Sequence, residues 1–348
     1  MDDKISVDHQ SCFMESGGYF PIIAKHDKTL FVFCRTGAGH LGKNGKIAVL
    51  SSLDGLDWHY KGTVEKENSD IRNPAVYIFH NGKILLALYR YNAYDDKGIC
   101  QPSKNNSPHN YDLVFFSSDD GGVSWKEQIN TNLDKVYGRI GKASPHGKMF
   151  LYNNQLLLPV YNKEGCFLLS TKDDGHSWDI FSHIAKDLLE PFVIKTPNNE
   201  LAAVMRTRRK SRFEEASLVS IYRNNRWTEP VCVTDPLQHP AGLLILSNNQ
   251  LLLYYADRNF ENQRILVKLS ADNGQTWSRA IQVGDVFHNC DFGYPSTIEL
   301  TEGTLLSVFY AKQSENPHFY FGNMDFYDCK NARGHCYQYS LRRLLELV

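Results

Sequence analysis

The sequence predicts an all-β protein, a six-bladed β-propeller of four-stranded antiparallel blades, and three observations predict it. A polar turn recurs as "SSDDGGVSW" (117–125), "STKDDGHSW" (170–178) and "SADNGQTW" (270–277). Six segments each open on X-Pro, run through a short apolar strand, break at a polar turn and return along a second apolar strand. Their prolines fall at 21, 74, 145, 191, 240 and 295; the mean spacing of about 55 residues suits one four-stranded blade. Helical periodicity is absent outside the C-terminal "SLRRLLELV", which reads equally as a last strand, so helix is expected in less than about a tenth of the chain.

The blades open, in order, with "YFPIIAKHDKTLFVFCR", "NPAVYIFHNGKILLALYR", "SPHGKMFLYNNQLLLPVY", "EPFVIKTPNNELAAVMR", "HPAGLLILSNNQLLLYYADR" and "YPSTIELTEGTLLSVFY". Between them lie the recurring turns, in which Asp or Asn bonds back to its own backbone, Gly supplies positive φ and Trp covers the turn from the adjoining strand. These turns belong at the outer ends of blades and read as structural. Trp58, Trp125, Trp178, Trp227 and Trp277 interleave with the prolines. "SSLDGLDW" (51–58) reads as a degraded copy with Leu53 where the aspartate should stand, and "RNNRWTEP" as a blade that has lost its aspartate turn. The sixth blade carries no such turn. The N-terminal "KISVDHQSCF" is expected to complete it, because an unclosed propeller leaves a bare sheet edge. The whole chain, 1–348, is expected to form a single propeller domain.

Composition narrows the partners. The 348 residues hold 38 basic and 39 acidic side chains, a formal charge of −1, which disfavours nucleic acid as a partner. "RTRRK" (206–210) is the densest basic cluster. The eight cysteines show no CxxC and no zinc spacing, and read as buried or idle thiols, with no metal expected. "GAGHLGKNG" is glycine-rich but opens no recognisable helix, so no dinucleotide or other cofactor is expected. The start "MDDKISVDHQ" lacks an apolar leader core and no run approaches a membrane span. The expectation is a protein without a membrane partner, cytoplasmic or secreted with its signal removed. Oligomeric state is not legible.

Antiparallel pairing brings the start of each first strand and the end of each second strand to one mouth of the central channel. The first set is Phe20, Asn73, Ser144, Glu190, His239 and Tyr294; the second includes Arg35, Arg90, Tyr161, Arg206, Arg258 and Tyr310. Such a ring either satisfies itself around ordered water or forms a binding site. Charges of both signs converging on one mouth favour the site.

The repeated Asp-box turns on a six-fold repeat resemble the sialidase (neuraminidase) superfamily over essentially the whole chain. "EPFVIKTPNNELAAVMR" is similar to the sialidase segment in which a glutamate opens one strand and an arginine ends the next. The resemblance implies that Glu190 polarises a tyrosine nucleophile and that Arg206 grips a substrate carboxylate. "GYPSTIELTEGTLLSVFY" resembles the segment bearing that nucleophile, which falls on Tyr294. A phenol activated by a carboxylate avoids the repulsion that an Asp or Glu nucleophile meets from an anionic sugar.

Two departures matter. Sialidases open their first blade with Arg-Ile-Pro, whereas this chain has Tyr19-Phe20-Pro21, so the first arginine of the carboxylate triad is missing. Arg35 or Arg72 is a candidate to replace it, and Arg258 or Arg264 to supply the third. His40, in "RTGAGHLGKNG", stands near the place of the acid/base aspartate. It reads either as the proton donor or as a loop histidine capping a turn. Asp70 and Arg72 read either as an ion pair bracing a blade or as ligand contacts, and His239 as a rim residue or proton carrier.

Two functional classes follow. One is an exo-glycosidase removing a terminal acidic sugar, a sialic acid or related keto-sugar acid, through Tyr294, Glu190 and His40. The other reuses the scaffold, as a histidine-dependent rhamnosyl-uronate glycosidase or lyase or as a non-catalytic carbohydrate-binding propeller. A paired tyrosine and glutamate exceed what sugar binding needs, so the hydrolase is the primary expectation.

Overall fold

The computed structural model describes residues 4–101, 111–208, 214–301, 303–314 and 326–348. Strands make up 57% of it and helix 5%, in six small antiparallel sheets arranged as a six-bladed propeller. Blade I comprises Tyr19–His26, Thr29–Thr36, Lys46–Ser52 and His59–Val64, paired in that order from axis to rim. Blade II follows the same order from Asp70–Ile78 to Lys126–Gln128. The inner strand of blade III is split, so that Ser144–Pro145 and Phe150–Tyr152 both pair with Gln155–Asn162. In blade IV the outer strand is split instead, into Arg226–Trp227 and Val231–Cys232. Blade V gains a fifth strand, Lys4–Ile5, parallel to Ile281–Phe287.

Closure happens in blade VI. Its three inner strands, Cys290–Thr301, Thr304–Gln313 and Ala332–Ser340, accept the N-terminal His9–Met14 as the outer strand, as the sequence predicted. The tail forms a short helix, Leu341–Glu346, with Ser340 Oγ accepting from the Arg343 amide at its start.

The apolar core lies between blades rather than within them. Phe33 and Val49 of blade I pack with Ile84 and Leu86 of blade II, and further clusters bind II to III, III to IV, IV to V and VI, and VI back to I. Each sheet therefore buries both faces, which is why its strands read as near-continuous Val, Ile and Leu runs.

The recurring turns lock the third strand to the fourth. In the second of them, Ser118 Oγ donates to Asp120 Oδ1 (2.8 Å) and the Val123 and Ser124 amides donate to the same oxygen at 3.1 and 2.9 Å. Trp125 Nε1 closes the turn on the Gly122 carbonyl at 3.1 Å. The turn at 51–58 is a full copy one residue shorter, which corrects the reading of Leu53 as a lost aspartate. Asp54 takes the aspartate's part, accepting from the Leu56 and Asp57 amides at 2.8 and 3.0 Å, and Trp58 Nε1 donates to the Gly55 carbonyl. Blade IV has indeed lost the turn. Asn224 and Asn225, both at positive φ, make a two-residue hairpin there.

One backbone device recurs at the axis. The register of the two inner strands slips at the X-Pro step in blades I, II, IV, V and VI. In four of these bulges the residue before proline is left-handed: Phe20 (φ 51°), Asn73 (φ 53°), Glu190 (φ 53°) and Tyr294 (φ 52°). This conformation is costly for a residue with a Cβ, and bulges commonly serve to re-aim a side chain. Here they bring Phe20, Glu190 and Tyr294 together. The ring of Phe20 lies 4.7 Å from that of Tyr294, and Tyr294 reaches Glu190. Beneath them Pro21, Pro74, Pro240, Pro295 and Phe192 crowd the axis, leaving about 20 Å³ of open space. The channel narrows at these residues.

Candidate active site

A cleft of about 370 Å³ occupies this mouth, within the size range of small-molecule sites. It takes His40 from blade I, Arg72 and Asn73 from II, Tyr161 from III, Glu190, Arg206 and Glu215 from IV, His239 and Arg258 from V, and Tyr294 from VI.

Glu190 is its centre. Tyr294 Oη donates to Glu190 Oε1 at 2.7 Å, while Arg206 grips the same carboxylate with Nε to Oε2 at 2.8 Å and Nη2 to Oε1 at 3.1 Å. Burial alone raises a carboxyl pKa, but the Arg206 guanidinium outweighs it and holds Glu190 well below the usual carboxylate range. Burial and the Glu190 charge push the Tyr294 phenol well above its ordinary value. At neutral pH the pair is thus a neutral phenol donating to a carboxylate.

Arg206 is committed further, since its Nη1 donates to Glu215 Oε1 at 2.6 Å. All three guanidinium nitrogens are engaged with protein carboxylates. Three of its five N–H donors are thus taken by Glu190 and Glu215, and Arg206 still lines the cleft. Burial and the Glu190 charge raise the Glu215 carboxyl above its ordinary value, against the pull of Arg206. His239, which also lines the cleft, has its Nε2 3.4 Å from Glu215 Oε2.

A second cluster centres on Asp291, whose side chain is 2% exposed. Its Oδ2 lies 3.0 Å from His40 Nδ1, and its Oδ1 accepts from Tyr310 Oη at 3.0 Å and from Arg258 Nη2 at 3.4 Å. Burial lowers the His40 pKa, and Arg72 and Arg258 add to this against the opposing pull of Asp291. Burial raises the Asp291 carboxyl, but His40, Arg258 and Tyr310 together hold it below its ordinary value. His40 is thus a partly buried imidazole beside the Asp291 carboxylate, packed edge-on to Phe20 at 4.9 Å.

Arg35 and Asp70 are not brought to the cleft. They form a fully buried ion pair, with Arg35 Nε and Nη2 spent on the Gly39 and Gly42 carbonyls and Tyr94 Oη donating to Asp70. Gly45 packs against the pair, and a Cβ there would overlap both side chains. The expectation of a ligand role for either is corrected: their job is to brace blade I on blade II and to fix the loop that carries His40. Asp70 pairs with Arg35 rather than with Arg72.

Arg72 stays in the cleft. Its guanidinium lies 5.5 Å from the Phe20 ring centroid, and its Nε is buried without a hydrogen-bond partner among the described residues. Burial opposes its charge, but Asp70, Tyr94, Tyr161 and Tyr294 keep its pKa above the usual arginine value. Arg90 turns outward to a two-bonded pair with Asp112, and Arg264 pairs with Asp257 at 3.3 Å. Arg209 and Lys210 of the basic cluster lie outside the described residues. Among the described residues no three His, Cys, Asp or Glu side chains converge as a metal site, and no helix is long and apolar enough to cross a membrane. The eight cysteines are free thiols, five of them buried.

Sequence reasoning missed Glu215 and Asp291. Glu215 belongs to no repeat. Asp291 stands three residues before Tyr294 on the same strand, and its place beside a nucleophile was the available signal.

A tyrosine bonded to an arginine-held glutamate, at the mouth of six blades of which four carry an Asp-box turn, defines a sialidase-like propeller. The chain belongs to the BNR repeat-like domain family, whose pattern matches residues 99–308. Its fold is similar to that of a Dyadobacter fermentans protein of unknown function, at TM-score 0.72 and 18% identity over 95% of this chain and 98% of that one. It is also similar to the Hadza microbial sialidase Hz136, at TM-score 0.67 and 16% identity over 94% of this chain and 67% of that one. Trypanosoma rangeli sialidase in complex with the inhibitor DANA matches at TM-score 0.67 and 13% identity, over 100% of this chain and 60% of that longer one. No curated protein matches the sequence.

Proposed function

We propose that the protein is an exo-glycosidase of sialidase type that releases a terminal acidic sugar through a glycosyl–tyrosine intermediate. The observation that carries this reading is the 2.7 Å hydrogen bond from Tyr294 to Glu190 at the cleft mouth. Tyr294 Oη attacks the anomeric carbon and its phenolic proton passes to Glu190, while the departing oxygen takes a proton from His40. Water then attacks the same carbon, giving a proton to His40, and Tyr294 recovers its own from Glu190. The phenol becomes acidic only as the new C–O bond forms, so a carboxylate held far below it still serves as acceptor. The substrate carboxylate is taken by arginines that line the cleft, Arg72 and Arg258 with Arg206 beside Glu190.

The pairing of His40 with Asp291 favours a second reading, a histidine-dependent glycosidase or lyase on rhamnosyl-uronate chains. A panel of aryl glycosides of sialic acid, its deaminated relative, Kdo, glucuronate and rhamnose separates the two. The first reading predicts that Tyr294→Phe abolishes turnover and leaves ligand binding nearly unchanged, since only the phenolic oxygen is lost. Release from rhamnose alone, dependent on His40 and indifferent to Tyr294, supports the second. Binding to one sugar with release from none indicates a carbohydrate-binding propeller.

A further inference from the structure

We propose that Asp291 is a positioning residue that couples His40 to anion binding: it holds the His40 ring through Nδ1 with one oxygen and shares the other between Arg258 and Tyr310. The inference rests on the reading of His40 as the proton-transfer group of a glycosidase, and extends it to how that group is readied.

The geometry assigns the tautomer. A carboxylate 3.0 Å from Nδ1 selects the form with hydrogen on that nitrogen, which leaves Nε2 as the atom that exchanges a proton with substrate. Asp291 stands three residues before Tyr294 on strand Cys290–Thr301, in regular register just ahead of the blade VI bulge that holds Tyr294. One strand therefore fixes both the attacking oxygen and the orientation of the proton donor.

The same geometry couples the ring to charge. His40 is faced by Asp291 and Tyr310 of blade VI, by Tyr19 of its own blade at 6.4 Å between ring centroids, and by the cations Arg72 and Arg258 of blades II and V. Phe20 and Phe326 also pack on the ring and carry no charge. The two arginines oppose protonation of His40. An anionic group bound on Arg258 and Arg72 cancels that repulsion, and in drawing on Arg258 it leaves Asp291 more fully to His40. An acidic sugar thus readies its own proton donor, whereas a neutral sugar of the same shape does not.

Long-range 1H–15N NMR of the imidazoles, with His40 assigned by its loss in His40→Ala, reads both parts without turnover. Expected are the Nδ1–H tautomer of neutral His40 in the wild type and its loss in Asp291→Asn. The His40 midpoint should rise by about one pH unit in Arg258→Gln, and by a similar amount when the glycal of sialic acid binds the wild type but not Arg258→Gln. If the glycal fails to bind, the substrate reading is at fault while the tautomer and the Arg258→Gln midpoint still decide this proposal. An Nε2–H tautomer in the wild type, a midpoint unmoved by Arg258→Gln, or a bound glycal that leaves His40 unshifted overturns it.

Discussion

Arg35 and Arg206 are both arginines that end a blade's second strand, and both pair with protein carboxylates, yet with different consequences. Arg35 is sealed with Asp70 and contributes only to the frame. Asp70→Ala leaves a buried guanidinium unpaired and is expected to cost about 3–5 kcal/mol in denaturant unfolding, whereas replacing both partners by apolar residues should recover much of that loss. Arg206 holds Glu190 ionised beside Tyr294, which sets the pH behaviour. Glu190 titrates below the usual carboxylate range and stays charged through mildly acidic pH, so it imposes no acidic limb there. His40 is held below the ordinary imidazole value, so its proton is lost as pH rises through that lowered midpoint. For substrates with poor leaving groups, kcat/KM is expected to fall on the alkaline side at a pH below about 6.5, and activated aryl glycosides to persist to higher pH. A shared alkaline limb would remove His40 from the acid role. None of this was legible in the sequence, where the arginines look alike and their partners depend on which residues meet across blades.

At the scale of elements, the turns were legible and the bulges were not. Three Asp-box turns declare themselves by spacing, and the shortened one escaped because a single deletion shifts Asp54 out of frame with its siblings. Trp178, 1% exposed and stacked on Phe115 at 5.3 Å, joins blade III to blade II as well as closing its own turn. Trp178→Ala is expected to lower stability by about 3–5 kcal/mol, measurable as a shift in denaturation midpoint. The bulges defy local rules, since a residue before proline is biased to extended backbone. Glu190 and Tyr294 nonetheless sit at left-handed φ, each within a register slip between the two inner strands of its blade. Propensity could name these residues as rim positions but could not aim them.

For the whole molecule, a fixed period of X-Pro strand pairs specified the fold, and ring closure by His9–Met14 is what converts six sheets into one mouth. Removal of the chain through Met14 exposes the Ala332–Ser340 edge. The truncated protein is expected to melt lower and to self-associate, as read by light scattering, while the full chain does not. The central claim is that this mouth forms a covalent bond to an acidic sugar through Tyr294. The most direct measurement is peptide mass mapping after incubation with a 3-fluoro glycosyl fluoride of sialic acid, in which the added fluorine slows release of the intermediate. The account predicts one glycosyl adduct on Tyr294 in the wild type and none in Tyr294→Phe. No adduct on a protein that demonstrably cleaves the parent aryl glycoside, or an adduct on another residue, would contradict it.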